Sequence, residues 1–274
     1  MAITAQEVNK LRQQTGAGMM DCKKALEENN GDFEQAIDYL RKKGAKVAAN
    51  RGDRDSKEGV VLAKTTADNK KGVLIWVNCE TDFVAINADF IAFADSIATI
   101  ALNSSATTKE EILNLPYNND IKVSDKFMEQ VGKIGEKIEI GYFEVITAEK
   151  VSAYIHPGNR VSVIVGFNKE LTDEAGRNVA MQAAAMAPVA LDKEGVTQEM
   201  LDRELEIARE VIRAEGKPED MVEKIAQGKI AKFYKESTLL NQEYIKDNKL
   251  TVAAYLKSLD KDLTAIAFKR YALS

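Results

Sequence analysis

Apolar residues recur at helical spacing near the start of the chain and predict three short helices. Thr4 and Glu7 stand where a capping box opens the first of these helices. A second helix is predicted over residues 20–28. A third begins after Asp32 and ends at Gly44, because glycine commonly follows the last residue of a helix. The pattern therefore predicts a small three-helix bundle.

The stretch after this bundle changes from polar to β-rich. Residues 46–58 are charged and lack an apolar period, which predicts a linker after a first module of residues 1–45, although the first part of this stretch could continue as a frayed helix. Two strand-like runs, residues 59–67 and 73–79, are separated by a polar turn. The second run is apolar on both faces, which favours a central position in its sheet. Helical periodicity then returns over residues 88–102 and 124–137.

Strands followed by a helix occur a second time after residue 138. The repeated order predicts an α+β fold with two related subdomains, residues 59–137 and 138–274, built from antiparallel strands. The strand-like runs of the second subdomain are residues 138–147, 152–156 and 161–167, and its helix covers residues 173–187.

Residues 197–237 predict a helical hairpin that projects from the second subdomain. Gly216-Lys217-Pro218 forms its corner, with a proline suited to the start of a helix. Such exposed arms often pair with another chain, which allows a homodimer through the hairpin. The plainer alternative is that the two arms pair only with each other.

Composition and charge narrow the classes of partner. The net charge of −5 gives no general attraction to phosphate backbones, so we expect no nucleic-acid binding. No apolar stretch is long enough for a membrane-spanning helix, and the N-terminus does not resemble a signal peptide. Cys22 and Cys79 are far apart and indicate neither a disulfide framework nor a zinc site. A cytoplasmic protein without a membrane partner is the expectation.

The chain lacks the residue patterns that usually carry catalysis. No phosphate-cradling P-loop motif occurs, so direct nucleotide binding is not expected. His156 is the one histidine, which excludes most histidine-rich metal sites, and no nucleophile elbow accompanies it. We therefore expect a protein that is not an enzyme, has no cofactor or metal, and works by binding.

Two stretches of sequence resemble the signature segments of the elongation factor Ts family. They are TGAGMMDCKKAL at residues 15–26 and VNCETDFV at residues 77–84. Shorter matches occur at residues 133–136, KIGE, and 216–218, GKP, in the same order and context. The resemblance covers nearly the whole chain. It implies an N-terminal ubiquitin-associated-like three-helix module, two α+β subdomains, and a hairpin that some members use for dimer contacts.

The resemblance also implies a function. The chain is expected to bind elongation factor Tu carrying GDP, to disturb its Mg²⁺ and phosphate site, and so to promote exchange of GDP for GTP. Thr81-Asp82-Phe83-Val84 is the implied working tip. In this view, Phe83 wedges between helices of the partner's GTPase domain and Asp82 contacts the same region.

Further partner contacts are implied by the same resemblance. In the N-terminal module they are Leu11, Met19 and Met20, and in the second subdomain they are His156, Tyr244 and Ile245.

The residues alone leave other interpretations open. Phe83 could be a core residue that caps the helix at 88–102, and a methionine pair is usually core, although two adjacent residues cannot both face one core. The main alternative function is a non-catalytic adaptor whose three-helix module binds a helical or ubiquitin-like partner. A second alternative is an enzyme that uses His156 or an acidic pair.

Overall fold

The structure is a computed structural model that describes residues 3–273. Within these residues the chain alternates helices with antiparallel strands, as the sequence predicts for an α+β fold. The helices are α1 (Ala5–Thr15), α2 (Met19–Glu28), α3 (Phe33–Asn50), α4 (Asp82–Ala85), α5 (Ala88–Leu102), α6 (Lys109–Asn114), α7 (Val123–Ile134), α8 (Asp173–Met186), α9 (Gln198–Ala214), α10 (Glu219–Ser237) and α11 (Val252–Leu259). The strands are β1 (Glu58–Thr65), β2 (Lys71–Cys79), β3 (Glu139–Thr147), β4 (Lys150–Ile155), β5 (Val161–Phe167), β6 (Glu243–Tyr244), β7 (Asp247–Thr251) and β8 (Ala265–Ala272).

Helices α1 to α3 form the predicted three-helix module. Thr4 caps α1, and its side chain and that of Glu7 make the reciprocal hydrogen bonds of a capping box. Gly16 ends the helix with a φ of 68°, a conformation that glycine adopts without steric cost. Buried apolar side chains from all three helices close the core, so the module has an interior of its own.

The prediction that Gly44 ends the third helix is wrong. Helix α3 continues to Asn50, so residues 46–50 of the predicted linker are helical. Gly44 instead faces α7, where a Cβ atom would overlap the carbonyl oxygen of Met128 and lie 3.4 Å from Cα of Gly132. The glycine is therefore needed for close contact between two helices, and it allows the module to pack directly on the first subdomain.

Two three-stranded antiparallel sheets organise the rest of the chain, with strand orders β1-β2-β3 and β4-β5-β8. Strand β2 is central, as its two apolar faces predict. Strand β3 was expected in the second subdomain, and this assignment is wrong because β3 pairs with β2. Strand β8, from the end of the chain, takes the corresponding place beside β5.

The two sheets share one plan. In each, a hairpin of two strands is followed by a helix that packs on it, and a strand from later in the chain then joins the second hairpin strand. Helix α5 contributes most of its apolar side chains to the first core, and α8 contributes small side chains to the second. This repetition agrees with the predicted pair of related α+β subdomains.

Aromatic stacking joins the two sheets at one end of their interface. The ring of Tyr271 lies 5.0 Å from that of Trp76 and 4.6 Å from that of Tyr142, measured between centroids. Trp76 also covers Gly141, where any Cβ would overlap the indole. Strand β8 is therefore held against β2 and β3 of the other sheet through aromatic side chains.

Helices α9 and α10 form the predicted hairpin. A small core of Ala208, Ile212, Val222 and Ala226 lies between them. No helix among residues 3–273 combines the length and the apolar character that crossing a membrane requires.

Candidate protein-binding site

The segment predicted to be the working tip is a single turn of helix at the end of β2. Thr81 caps this turn, α4, and its hydroxyl accepts a hydrogen bond from the Val84 N–H. Val84 packs against the first core. Asp82 and Phe83 point into solvent. The short segment thus has two anchoring residues and two exposed residues.

Phe83 is 79% exposed, so it is not the core residue that sequence alone would favour. Ile86, three positions later, is 76% exposed. Residues three apart in a helical turn lie on the same side, so the two side chains present one apolar surface. Ile86 is not among the contact residues predicted from the sequence. Its spacing from Phe83 is the signal that could have indicated it.

A groove of about 240 Å³ lies beside this apolar surface. It runs between α4, the start of α5 and the end of α7, and Phe83, Asn87 and Ile134 contribute to its walls. Lys133 lines the groove and pairs with Asp89, with Nζ 3.3 Å from a carboxylate oxygen. The exposed turn is therefore bordered by charged groups as well as by apolar ones.

Glu136, just after α7, holds the start of the turn. One carboxylate oxygen accepts hydrogen bonds from the backbone N–H groups of Glu80 and Thr81, at 3.0 and 3.1 Å. The other accepts from the Thr81 hydroxyl at 2.7 Å. In the sequence this glutamate stands out only as part of a matching motif, because its contacts are with residues more than fifty positions away.

Glu80 connects three chain segments below the turn. Its carboxylate accepts two hydrogen bonds from the Arg51 guanidinium, at 2.9 and 2.8 Å, and one from the Lys137 backbone N–H at 2.6 Å. Burial acts to raise the pKa of Glu80, but these hydrogen bonds outweigh it and hold the pKa below its ordinary value. The ends of α3, β2 and α7 are thus tied together by one carboxylate.

Cys79 lies directly behind the turn and is fully buried. Its thiol donates to the Thr81 carbonyl oxygen at 3.2 Å. Burial, and to a smaller extent the Glu136 carboxylate, raises the pKa of the Cys79 thiol to about 12. The thiol is thus a packing group and not a reactive one.

The N-terminal module has an exposed apolar pair of its own. Met19 is 55% exposed and Met20 is 74% exposed, both in the first turn of α2. Leu11, predicted to contact the partner beside them, is fully buried in the core of the module. That prediction is corrected here, since the periodicity that places Leu11 on the apolar face of α1 also directs it inward.

Lys133 contacts both parts of this surface. A Cβ atom on Gly16 would lie 3.2 Å from Cδ of Lys133, so the loop before Met19 packs on this side chain. The same lysine lines the groove beside Phe83. The end of α7 therefore connects the methionine pair with the exposed turn.

The three predicted contacts in the second subdomain have different environments. His156 is exposed in the turn after β4, and its Nδ1 lies 3.0 Å from the Tyr154 hydroxyl. Ile245 is 44% exposed. Tyr244 is buried and stacks on Tyr255 with centroids 4.2 Å apart, so it is a core residue and not a surface contact.

Comparison with known proteins gives consistent matches over the whole chain. The model of a family described as "Elongation factor TS" matches residues 80–274. A protein of Christiangramia forsetii named elongation factor Ts is 58% identical over 99% of this chain and 98% of its own. Its namesake from Flavobacterium psychrophilum is 54% identical with the same coverage, and that from Porphyromonas gingivalis is 46% identical over 100% of this chain and 99% of its own.

Proposed function

The chain belongs to the elongation factor Ts family, and on this premise we propose that it promotes GDP release from elongation factor Tu. The observation that carries the proposal is the exposed apolar pair, Phe83 and Ile86, on a turn fixed to strand β2 and helix α7. Large apolar side chains held at the surface of a rigid element are typical of a binding surface. The turn enters the GTPase domain of the partner and displaces helices beside its Mg²⁺ and phosphate site.

This action needs no bond making by the chain. GDP is held by backbone amides, a lysine and Mg²⁺ around its phosphates, so a small displacement weakens several charge-assisted contacts together. The exchange factor and the nucleotide then oppose each other's binding by the same coupling free energy. The protein acts without a cofactor, without binding nucleotide itself and without being an enzyme, in the cytoplasm where translation proceeds.

Two apolar side chains provide more coupling free energy than one. Burial of a large apolar side chain contributes about 1.5–3 kcal/mol, and each tenfold loss of GDP affinity requires about 1.4 kcal/mol. Phe83 alone therefore provides roughly one to two decades, and Phe83 with Ile86 roughly two to four. Met19 and Met20 add binding energy through adaptable thioether side chains on the N-terminal module.

The second subdomain extends the contact surface through His156 and Ile245, which are both exposed. The hairpin has a further exposed apolar row, where Ile207 and Val211 are 45% and 43% exposed and line a groove between the two arms. This row supports a homodimer in which the hairpin contacts a second copy of the chain.

The test measures release of fluorescent GDP from elongation factor Tu of the same organism, over a range of concentrations of this protein. We expect strong acceleration by the parent. Phe83→Ala should lower the maximal rate by roughly tenfold or more, and Ile86→Ala by less, because a smaller apolar area is lost. Leu259→Ala, which truncates an exposed apolar residue at the end of α11, is the matched control and should match the parent.

The outcomes separate the competing functions. An adaptor would bind elongation factor Tu, or another partner, without faster GDP release. An enzyme would turn over a substrate with the GTPase absent. Release by Phe83→Ala at the parental rate, in a protein with an unchanged circular dichroism spectrum, would contradict the role of the turn.

A further inference from the structure

Glu136 makes three hydrogen bonds to the segment that carries Phe83, and no element of secondary structure requires them. Two come from backbone N–H groups that precede the first turn of α4, and the third comes from the Thr81 hydroxyl that caps it. Such groups at the start of a helix otherwise face solvent or a capping side chain. The carboxylate therefore fixes both the position and the direction of a one-turn helix too short to be stable alone.

The location of Glu136 follows from the way α7 ends. Gly135 has a φ of 80°, a left-handed conformation that favours glycine and reverses the chain after the last helical turn. This reversal places the next residue beside the end of β2. Helix α7 is thus followed directly by a carboxylate that binds the turn.

The same helix carries the N-terminal module. Gly132 of α7 packs against Gly44 of α3, and Glu129 lies 3.6 Å from the Arg41 guanidinium. Glu136 therefore fixes the position of the turn relative to α7, and α7 fixes the position of the module that bears Met19 and Met20. The two apolar parts of the proposed surface share one support.

We propose that Glu136 is a positioning residue for nucleotide exchange, which acts through Thr81 to hold Phe83 in the orientation that enters the partner. The inference rests on the proposed function and adds a residue that does not itself touch the partner. Phe83 has little packing of its own, since it is 79% exposed. Its orientation therefore depends on the backbone of the turn, which the three hydrogen bonds fix.

Loss of these hydrogen bonds should affect the rate more than the affinity. The methionine pair and the second subdomain still bind the partner, so the concentration for half-maximal release should change little. The maximal release rate should fall because a turn free to reorient seldom presents Phe83 correctly. We expect Glu136→Ala to lower this rate about tenfold, which corresponds to about 1.4 kcal/mol.

Glu136→Gln is the conservative variant. Its amide oxygen can accept both backbone hydrogen bonds, and its amide nitrogen can donate to the Thr81 hydroxyl oxygen. The maximal rate of this variant should stay within about threefold of the parental rate, because it keeps the hydrogen-bond geometry and loses only the negative charge. Glu149→Gln is the matched control, because Glu149 is an exposed glutamate that pairs with Lys70 and contacts neither the turn nor the N-terminal module.

A double-mutant cycle with Phe83→Ala separates positioning from a general loss of stability. If Glu136 acts through Phe83, then Glu136→Ala should slow the Phe83→Ala protein far less than it slows the parent. Equal slowing in both backgrounds, or a parental rate for Glu136→Ala, overturns the inference while leaving the proposed function in place. If the parent protein does not accelerate GDP release, both the inference and the proposed function are overturned.

Thr81→Val provides the same test if Glu136→Ala fails to fold. It removes the hydroxyl that donates to Glu136 and accepts from the Val84 N–H, and it leaves the two backbone hydrogen bonds to Glu136 intact. Its maximal rate should fall severalfold with the half-maximal concentration unchanged, and a parental rate would again overturn the inference.

Discussion

Because α3 and α7 are in close contact, we expect Gly44→Ala to destabilise the protein, whereas helix propensity alone predicts that it would stabilise it. Alanine in place of glycine within a helix normally stabilises by about 1 kcal/mol. At Gly44, however, the added methyl would overlap the Met128 carbonyl oxygen and lie 3.2 Å from its carbonyl carbon. These are backbone atoms that cannot rotate away, so the two helices must separate.

The two contributions can be weighed against each other. Overpacking of this kind costs about 1–3 kcal/mol, and the propensity gain offsets about 1 kcal/mol of that. Gly44→Ala should therefore lower the free energy of unfolding by up to about 2 kcal/mol. Gly228 is the matched control, because it lies inside α10 with no atom within 4 Å of an added Cβ. Gly228→Ala should stabilise by about 0.5–1 kcal/mol.

Urea unfolding followed by the helical circular dichroism signal measures both variants. The propensity contribution is common to the two, so their difference of about 1–3 kcal/mol isolates the cost of the contact. An equal stabilisation by both substitutions would refute the claim that the contact with α7 requires glycine at position 44.

Two further predictions follow from the network behind the turn. The pKa of Glu80 is held below its ordinary value of 4.5, so its stabilising effect is complete above that pH and is lost as the pH falls through the lowered pKa. The urea midpoint of the parent should therefore drop more steeply below pH 4.5 than that of Glu80→Gln, and parallel curves would contradict this. With a pKa of about 12 in place of 9.0, the Cys79 thiol should have roughly a thousandfold less thiolate, so a disulfide reagent at pH 8 should modify it only after unfolding. Rapid modification in the folded protein would show that the turn opens.

Local patterns predicted most of the secondary structure but not how its elements come together. Helix α5 and strand β5 have the bounds that periodicity and turn residues indicate. Strand β3 was also recognised, yet its partner was not, because strand pairing depends on the buried faces of distant segments. Gly44 was misread for a related reason, since a glycine that ends a helix and one that permits helix contact look alike in sequence.

The candidate site was also predicted only in part from the sequence. The motif at residues 77–84 identified the turn, and the structure shows its phenylalanine at the surface. Leu11 and Tyr244 were predicted as contacts from the resemblance although both lie in cores, since a motif identifies residues but not the direction in which their side chains point. The contacts of Glu136 and the exposure of Ile86 were missed, because a contact between distant segments and the exposure of a side chain are not local properties of the sequence.

The aromatic stack between the sheets gives the molecule an intrinsic optical reporter. The chain has one tryptophan, and Trp76 lies against Tyr271 of the opposite sheet and over Gly141 of the neighbouring strand. It also belongs to the strand that leads into the exposed turn. Emission from this single indole therefore follows separation of the two sheets, without an added label.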